Sequence, residues 1–424
     1  MGAGLPCLAR PAERQCKIVA MGDIVEFGRV ILFASGALLL AIGVRMVAGR
    51  LAVPTAGLLL VAAAAASDLF DRLDGVLTFE DVQRIVTLAL VVILFEGGSN
   101  IGLRRFRSSA APIVALGVLG TFGTAALVAV AAHYALGFSW TVAGLLGAAL
   151  APTDPAVTFS VLAGRDVSGR SGTILEGESG FNDPVGIALM IGMIEVATHD
   201  EASPLWTIVE EFVREMAIGL AVGVAGALAL AALIRRAPLP DRTLYPIAVI
   251  LAVGAIYGVA TVATGSGFLA VFVAGILVGD MRYAARSAVR DFSSALTDLG
   301  ELAAFVALGL TVDLALIGDA GLWWQGLVLA ALLGLVIRPL VVTPLLLPVR
   351  LDWGERGFVV WSGLKGAVPI LLASLAVVGG TDDAAKIYGI VFVVVLCSVV
   401  VQGSLVPSVA ARLGVEMVPA QPHS

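Results

Sequence analysis

Long apolar stretches follow one another along almost the whole chain, and short polar segments separate them. Most stretches are close to 20 residues long, which is the length that an α-helix needs to cross the ~30 Å hydrocarbon core of a membrane. Their apolar residues run continuously rather than in alternation, which favours helices over the strands of a membrane β-barrel. The pattern predicts about thirteen spans, at 27–48, 51–67, 84–101, 110–133, 138–163, 174–197, 212–233, 244–263, 266–281, 298–316, 321–347, 355–378 and 386–411.

Composition supports an all-α polytopic membrane protein. Hydrophobic residues make up 59% of the 424 residues and charged residues 14%, whereas soluble domains are about 25% charged. A soluble enzyme, a nucleic-acid-binding protein and a secreted disulfide scaffold are therefore excluded. Cys7, Cys16 and Cys397 have neither disulfide-framework nor metal-site spacing. The sequence also has no Walker A pattern, so it predicts no ATP-driven motor in this chain.

The basic residues predict the orientation of the spans. Cytoplasmic loops of membrane proteins carry an excess of Lys and Arg. Sixteen arginines lie in the loops and span ends of one predicted side, and three basic residues lie on the other. We therefore expect a protein of the cell (plasma or inner) membrane with its C-terminus in the cytoplasm and, with thirteen spans, its N-terminus outside.

The chain ends are expected to flank a single transmembrane domain at 25–415. Residues 1–24 are predicted to be an N-terminal extension, and 416–424 a short cytoplasmic tail. The extension carries three basic residues on the predicted outer side and no apolar run, unlike a signal peptide. Met21 opens an acidic stretch that suits the outside, which leaves Met1 and Met21 as two candidate starts of translation.

Two predicted spans contain residues that break a helix. Ala151-Pro-Thr-Asp-Pro155 lies in 138–163, and Gly363-Leu-Lys-Gly-Ala-Val-Pro369 lies in 355–378. Prolines remove backbone donors, and broken helices occur in membranes where backbone lines a cavity. The two spans are seven apart, which predicts two inverted six-helix repeats whose broken helices cross at the midplane, the usual binding site of transporters. The alternative is a pair of proline kinks without a function.

Ionisable side chains at membrane depth are costly and point to function. Six candidates lie in predicted spans, away from the membrane surface or beside helix-breaking residues: Glu96, Asp154, Glu178, Asp183, Arg338 and Lys365. Ser179 and Asp183 are one helical turn apart and share a face, where a hydroxyl and a carboxylate suit a small cation. The structural alternatives are a helix-capping carboxylate at Asp183, a serine bonded to its own helix at Ser179, and a position near the membrane surface for Glu96.

Four separated motifs resemble the NhaP-type monovalent cation:proton antiporters, over about 25–415. In chain order they are Phe95-Glu-Gly-Gly98, Thr153-Asp-Pro155, Glu178-Ser-Gly-Phe-Asn-Asp183 and Gly363-Leu-Lys-Gly-Ala-Val-Pro369. The resemblance implies a homodimer in the membrane. It also implies a mobile core domain, formed by the fourth to sixth and eleventh to thirteenth spans, and an interface domain formed by the first to third and eighth to tenth.

The resemblance also implies the roles of the site residues. Asp183 would carry the cation or the proton, with the cation bound by Asp183, Ser179 and Thr153. Glu96, Asn182 and Asp154 would complete this cation- and proton-binding site. Asp154 and Lys365 would compensate the ends of the broken helices, and Glu178 would pair with a buried arginine, Arg338.

Two features of the sequence leave open whether Lys365 is always charged and which cation is transported. Position 365 is usually Arg in that family, and a buried Lys, unlike Arg, can lose its proton. Whether Lys365 is a fixed charge therefore stays open. The stretch Gly265-Ser-Gly-Phe-Leu-Ala-Val-Phe-Val-Ala-Gly275 resembles the potassium-transporting branch, so Na⁺ and K⁺ both remain candidates.

These residues predict secondary exchange of a monovalent cation for H⁺ by alternating access, without a cofactor. A bare carboxylate crosses a dry barrier only at great cost, and either ligand neutralises it. Asn182 cannot titrate, which favours one-for-one, electroneutral exchange. One alternative is a passive or proton-gated cation channel. Another is an intramembrane serine protease, because Gly177-Glu-Ser-Gly180 matches its motif, but that serine needs a histidine base.

Overall fold

The computed structural model describes residues 10–51, 54–70, 73, 76–154, 157–158, 162, 165–167, 169–198, 205–236, 240–283 and 285–419. Within them the chain is almost entirely helical. The helices are α1 (Arg10–Leu51), α2 (Thr55–Leu69), α3 (Phe79–Val114), α4 (Thr121–Leu136), α5 (Trp140–Leu150), α6 (Gly169–Thr198), α7 (Leu205–Arg236), α8 (Leu244–Val262), α9 (Gly267–Gly279), α10 (Arg286–Leu310), α11 (Leu314–Asp319), α12 (Leu322–Leu332), α13 (Arg338–Leu346), α14 (Trp353–Trp361), α15 (Ala367–Val378), α16 (Ala384–Cys397) and α17 (Ser404–Arg412).

Three π-helical segments continue helices that would otherwise be separate. They are Ala115–Gly120 between α3 and α4, Leu333–Ile337 between α12 and α13, and Ser398–Gly403 between α16 and α17. The first two lie in the fourth and eleventh predicted spans, which are counterparts in the predicted repeats. Such π-segments are often found at functional positions of helices.

The all-α membrane fold is confirmed. Among the described residues, eight helices are long and apolar enough to cross a membrane, and four more apolar helices have 10–17 residues. One of the eight, Phe79–Leu136, has 58 residues and is long enough to cross twice. It contains non-helical backbone at Gly102 and Ser109, where the third and fourth predicted spans meet. The exact count of thirteen spans stays a prediction.

Some helices begin well before the predicted spans. Helix α1 begins at Arg10, inside the predicted extension 1–24, whereas residues 1–9 lie outside the described residues. Helix α10 begins at Arg286, while the predicted span begins at 298. Its first turns are polar, so hydropathy does not find them, although the backbone is already helical there.

A short strand pair joins two distant parts of the chain. Strand β1 (Arg165–Val167) pairs antiparallel with β2 (Met417–Pro419), and Arg165 lies opposite Pro419. Strand β2 falls in the predicted tail 416–424, of which residues 420–424 lie outside the described residues. The pairing connects the end of the chain to the loop that precedes α6.

Both predicted helix breaks are present. Helix α5 ends at Leu150 and residues 152–154 are non-helical, while α14 ends at Trp361 and α15 begins at Ala367. Pro155 lies outside the described residues. The two breaks cross: the Asp154 backbone N–H donates to the Leu364 carbonyl oxygen at 2.8 Å. The non-helical segments therefore satisfy part of each other's backbone hydrogen bonding, as buried backbone requires.

Close backbone packing places Glu96 beside this crossing. Helices α3 and α9 contact each other through glycines: a Cβ at Gly98 would overlap the Phe272 carbonyl oxygen, and one at Gly275 would overlap that of Phe95. Small residues let membrane helices approach in this way. The close contact fixes the turn of α3 that carries Glu96.

Candidate cation site

Lys365 lies at the end of the first broken helix. Its ammonium group donates to the carbonyl oxygens of Ala151 at 2.9 Å and Pro152 at 2.8 Å. Lys365 is only 2% exposed. The last carbonyls of a helix have no partner in that helix and carry partial negative charge. The Lys365 side chain therefore satisfies the C-terminal end of α5.

Asp154 lies at the start of the second half-helix. Gly366 is the residue that caps the N-terminus of α15, and a Cβ at Gly366 would overlap the Asp154 carboxylate. Helix N-termini carry partial positive charge and favour a nearby carboxylate. Each break thus places a charged side chain at a helix end of the other break, and the charge is opposite in sign to the partial charge of that helix end.

Asp183 is buried in α6, and one of its carboxylate oxygens accepts no hydrogen bond from the described residues. The residue is 4% exposed, and its Oδ1 atom has no hydrogen-bond partner among the described residues. Ser179, one turn earlier on the same helix, is 5% exposed and lines the same cavity. Leaving a buried acceptor unsatisfied is costly, so this oxygen needs a partner that the described residues do not supply.

Asn182 connects α6 to the first break. Its Nδ2 atom donates to the Thr153 hydroxyl at 2.7 Å, and both residues are buried. Asn182 therefore ties Thr153 of the first break to the turn of α6 that carries Asp183. The Asn182 Oδ1 atom has no partner among the described residues.

Glu178 and Arg338 form a buried ion pair. The Arg338 guanidinium donates to both carboxylate oxygens, with an Nη2–Oε2 distance of 2.9 Å, and the two side chains are 5% and 2% exposed. Arg338 also donates to the Val359 carbonyl oxygen at 3.3 Å. Bidentate geometry compensates two charges removed from water. The pair ties α6 to α13 and to the end of α14.

A cavity of about 220 Å³ opens beside Asp183. It is also lined by Ser179, Asp154 and Glu96, whereas Thr153, Asn182 and Glu178 are not among its lining residues. The described residues that line the cavity include no basic side chain. They include five carboxylates: Glu96, Asp154, Glu176, Asp183 and Glu301. Such a cleft concentrates cations.

Sequence reasoning missed two of these carboxylates, Glu176 and Glu301. Both lie near the start of a predicted span, where a charged residue looks like part of the membrane surface. Because α6 begins at Gly169 and α10 at Arg286, both side chains lie well inside a helix. The rule that charges within a span point to function would have found them with correct helix ends.

The protease motif around Ser179 lacks its base among the described residues. His133, the histidine that they include, contacts the Phe138 carbonyl oxygen through Nδ1 at 2.7 Å and stacks on Trp140. His133 lies near the C-terminal end of α4, Phe138 lies in the loop that follows, and Trp140 begins α5. His199 and His423 lie outside the described residues.

Known proteins resemble the chain in both sequence and fold. The K⁺/H⁺ antiporter NhaP of Alkalimonas amylolytica is 34% identical over 348 residues, which are 81% of this chain and 60% of the relative. The K⁺/H⁺ antiporter NhaP2 of Shewanella sp. (strain ANA-3) is 32% identical over 394 residues, 91% of this chain and 68% of the relative. The chain thus spans about two thirds of the length of these relatives.

A solved structure shows the same fold. The sodium proton antiporter MjNhaP1 from Methanocaldococcus jannaschii at pH 8 superposes with a TM-score of 0.76 at 21% identity, over 89% of this chain and 100% of that one. Residues 34–412 match the family described as sodium/hydrogen exchanger, transmembrane. The chain also has the four motifs found in the sequence, the crossing broken helices and the buried Asp183. Because the family match covers most of its residues, the chain belongs to the sodium/hydrogen exchanger family.

Proposed function

We propose that this chain exchanges a monovalent cation for H⁺ across the cell membrane by alternating access, with Asp183 as the carrier. The observation that carries the proposal is the Asp183 carboxylate, which is buried at the crossing of the two breaks with one oxygen free of any described hydrogen-bond donor. Membership of the exchanger family supports it. Na⁺ and K⁺ are both candidates, because the relatives include K⁺/H⁺ antiporters and the Na⁺/H⁺ antiporter ApNhaP of Aphanothece halophytica.

Each side chain of the site has one part in this mechanism. The Asp183 carboxylate and the Ser179 hydroxyl bind the cation, and Thr153 completes the site with Asn182 holding it in place. Asp154 and Lys365 keep the half-helix ends neutral, so that Asp183 has the one charge that changes between the two loaded states. The Glu178–Arg338 pair keeps α6 and α13 together as the site moves.

Coupling follows from the cost of burying a charge. A bare carboxylate has to be neutralised before it crosses a dry region, and either H⁺ or the cation does this. Only the loaded forms move, so each cation that crosses is exchanged for a proton. Asn182 carries no titratable group, and this makes the exchange one-for-one and electroneutral. An imposed membrane potential should then leave the exchange rate unchanged.

The cavity opens towards one side. Asn100, on α3 at the open end of the cavity, is exposed, whereas Val86 and Phe305 at the opposite end are buried. In the orientation that the arginines predict, the open end faces the cytoplasm. We therefore assign this arrangement to the inward-facing state, with Asp183 accessible from the cytoplasm.

The proposed assembly is a homodimer. Between residues 25 and 47, helix α1 exposes large apolar side chains, among them Leu32, Leu39 and Leu40 at 74, 69 and 74%. A membrane-embedded face of this kind suits a dimer contact through the predicted interface domain. Chemical cross-linking in native membranes tests the dimer, and a monomer under all conditions would contradict it.

The function is tested in proteoliposomes with a pH-sensitive dye and Na⁺, Li⁺ or K⁺ added in turn. Wild-type protein should exchange at least one of these ions for H⁺, and Asp183→Asn should lose exchange while keeping its size-exclusion profile. Asp291→Asn is the matched control, because Asp291 is exposed on α10 and does not line the cavity. Exchange by Asp183→Asn at the wild-type rate would refute the carrier assignment, and flux without a proton gradient would favour a channel.

A further inference from the structure

Glu301 is a partly buried carboxylate that the mechanism above does not use. It lies on α10 and lines the same cavity as Asp183. Thr297, Ala304 and Phe305 line it too, and this spacing places all four residues on one helical face. Glu301 is therefore directed into the cavity by the helix itself.

Glu301 forms no direct hydrogen bond or ion pair with the described residues. Arg45 of α1 acts on Glu301 electrostatically, but its direct ion-pair partner is Asp298, at 2.8 Å. A partly buried carboxylate that shares one cation with a second carboxylate is incompletely compensated. A cation in the cavity would complete the charge balance of Glu301.

The opposite wall supplies further oxygen ligands. Thr297, one turn before Glu301, has a buried Oγ1 atom without a hydrogen-bond partner among the described residues, and it lines the cavity together with Glu96 of α3. Asp183, which is 4% exposed, lines the same cavity and has an unpartnered Oδ1 atom. Hard-oxygen groups on three helices thus line one space in which the described residues place no basic side chain.

We propose that Glu301 is a further cation-binding residue, which forms with Glu96 and Thr297 a second position for the transported cation in the cavity of Asp183. The inference rests on the proposed function. A second position lowers the cost of dehydration, because carboxylate and hydroxyl oxygens replace part of the water shell before the ion reaches Asp183. Conduction pathways use several sites of this kind, so that an ion is bound firmly enough to enter and weakly enough to leave.

The position of Glu301 separates its effect from that of the carrier. Asp183 is on α6 and Glu301 is on α10, so removal of the Glu301 charge leaves the titrating carrier and both helix breaks in place. Cation affinity should fall, whereas the step that moves the loaded site should not change. A merely structural role would instead lower the maximal rate or the stability.

Glu301→Gln tests this inference in proteoliposomes. At constant pH the half-saturating concentration of the transported cation should rise about five- to tenfold, and tenfold is equivalent to ~1.4 kcal/mol. The maximal rate should stay within about twofold of wild type. Glu301→Asp, which keeps the charge, should restore most of the affinity. Asp291→Asn, on the exposed part of the same helix, should have the wild-type half-saturation.

A binding readout keeps the inference testable if exchange itself is not observed. The cation concentration that half-maximally stabilises the detergent-solubilised full chain against heat should shift upwards in Glu301→Gln. An unchanged midpoint would overturn the proposal, as would a lower maximal rate at unchanged half-saturation. Asp183→Asn is measured in parallel, and exchange by that variant at the wild-type rate would refute the proposed function. The proposal for Glu301 is judged separately, from the shift in the stabilising cation concentration.

Discussion

The Lys365 ammonium lies 2.8 Å from the Pro152 carbonyl oxygen, so one side chain from the second break satisfies the end of the first broken helix. The reverse relationship holds between Asp154 and Gly366, where the carboxylate lies against the N-cap residue of α15. Each charge therefore lies at the helix end whose partial charge has the opposite sign. These two contacts help to hold the two non-helical segments together.

Replacing Lys365 should therefore destabilise the fold. Lys365→Met leaves the carbonyl oxygens of Ala151 and Pro152 buried without a donor, which should cost about 2–4 kcal/mol. The apparent melting temperature of the purified protein should fall by several degrees. Lys365→Arg keeps a charge and donors at the same place, so it should melt close to wild type.

Lys386→Met is the control for this change. Lys386 is exposed and bonds Asp383 at 2.7 Å, and exposed pairs contribute only about 0–1 kcal/mol. The melting temperature of this variant should match that of wild type. If Lys365→Met also melts like wild type, the two carbonyls have another donor and the assigned role of Lys365 is wrong.

A methyl group at Gly366 should disable the site without unfolding the protein. The Cβ of Gly366→Ala would overlap the Asp154 carboxylate, which then has to leave the N-terminus of α15. We expect exchange to fall at least tenfold, with a stability loss of about 1–3 kcal/mol typical of overpacking. Exchange rates and melting temperatures of the reconstituted protein measure both effects.

Gly254→Ala is the matched control. No atom lies within 4 Å of a Cβ at Gly254 in the interior of α8, and Ala is the better helix former by about 1 kcal/mol. This variant should exchange like wild type. Wild-type exchange by Gly366→Ala would show that the position of the Asp154 carboxylate is unimportant.

The breaks were predictable because their causes are local. Pro152 lacks a backbone donor, and Gly363 and Gly366 weaken the second helix, so each break is encoded within a few residues. The pairing across the crossing is not local: Lys365 contacts carbonyl oxygens more than 200 residues away in the chain. Only the packed structure shows which charge meets which helix end.

The failure to predict Glu176 and Glu301 has a different cause. Hydropathy locates where a helix enters the apolar region but not where it begins. Helix α10 starts at Arg286 with polar turns, and these turns hide the depth of Glu301. The family resemblance implied a pair between Glu178 and Arg338, and in the structure the two side chains are hydrogen-bonded. Glu178 therefore faces Arg338 although its neighbour Ser179 lines the cavity.

The orientation predicted by the arginines is testable by cysteine labelling. Ser108→Cys should be labelled by an impermeant maleimide only in broken cells, and Asp382→Cys in intact cells, with Cys7, Cys16 and Cys397 replaced. Both positions are exposed, whereas the neighbouring Thr381 is buried and unsuitable as a probe. Labelling of Ser108→Cys but not Asp382→Cys in intact cells would invert the assigned topology.

Competition between H⁺ and the cation for Asp183 predicts the pH dependence of exchange. A protonated carboxylate cannot bind the cation, so a higher pH frees the site and strengthens apparent cation binding. Each tenfold decrease in H⁺ should lower the half-saturating cation concentration by up to about tenfold, or ~1.4 kcal/mol. The effect should level off once Asp183 is fully ionised.

The same competition produces a bell-shaped rate profile. At low pH the cation cannot displace the proton, and at high pH the return step lacks protons, so the rate falls on both sides without a separate pH sensor. Half-saturation for Na⁺ and K⁺ measured between about pH 6 and 9 decides the matter, because competition changes the half-saturating concentration as well as the rate. A half-saturation that is flat in pH, with only the maximal rate changing, would place the proton and the cation on different groups. Asp183 would then no longer account for coupling, since its neutralisation by either ligand is what ties the two fluxes together.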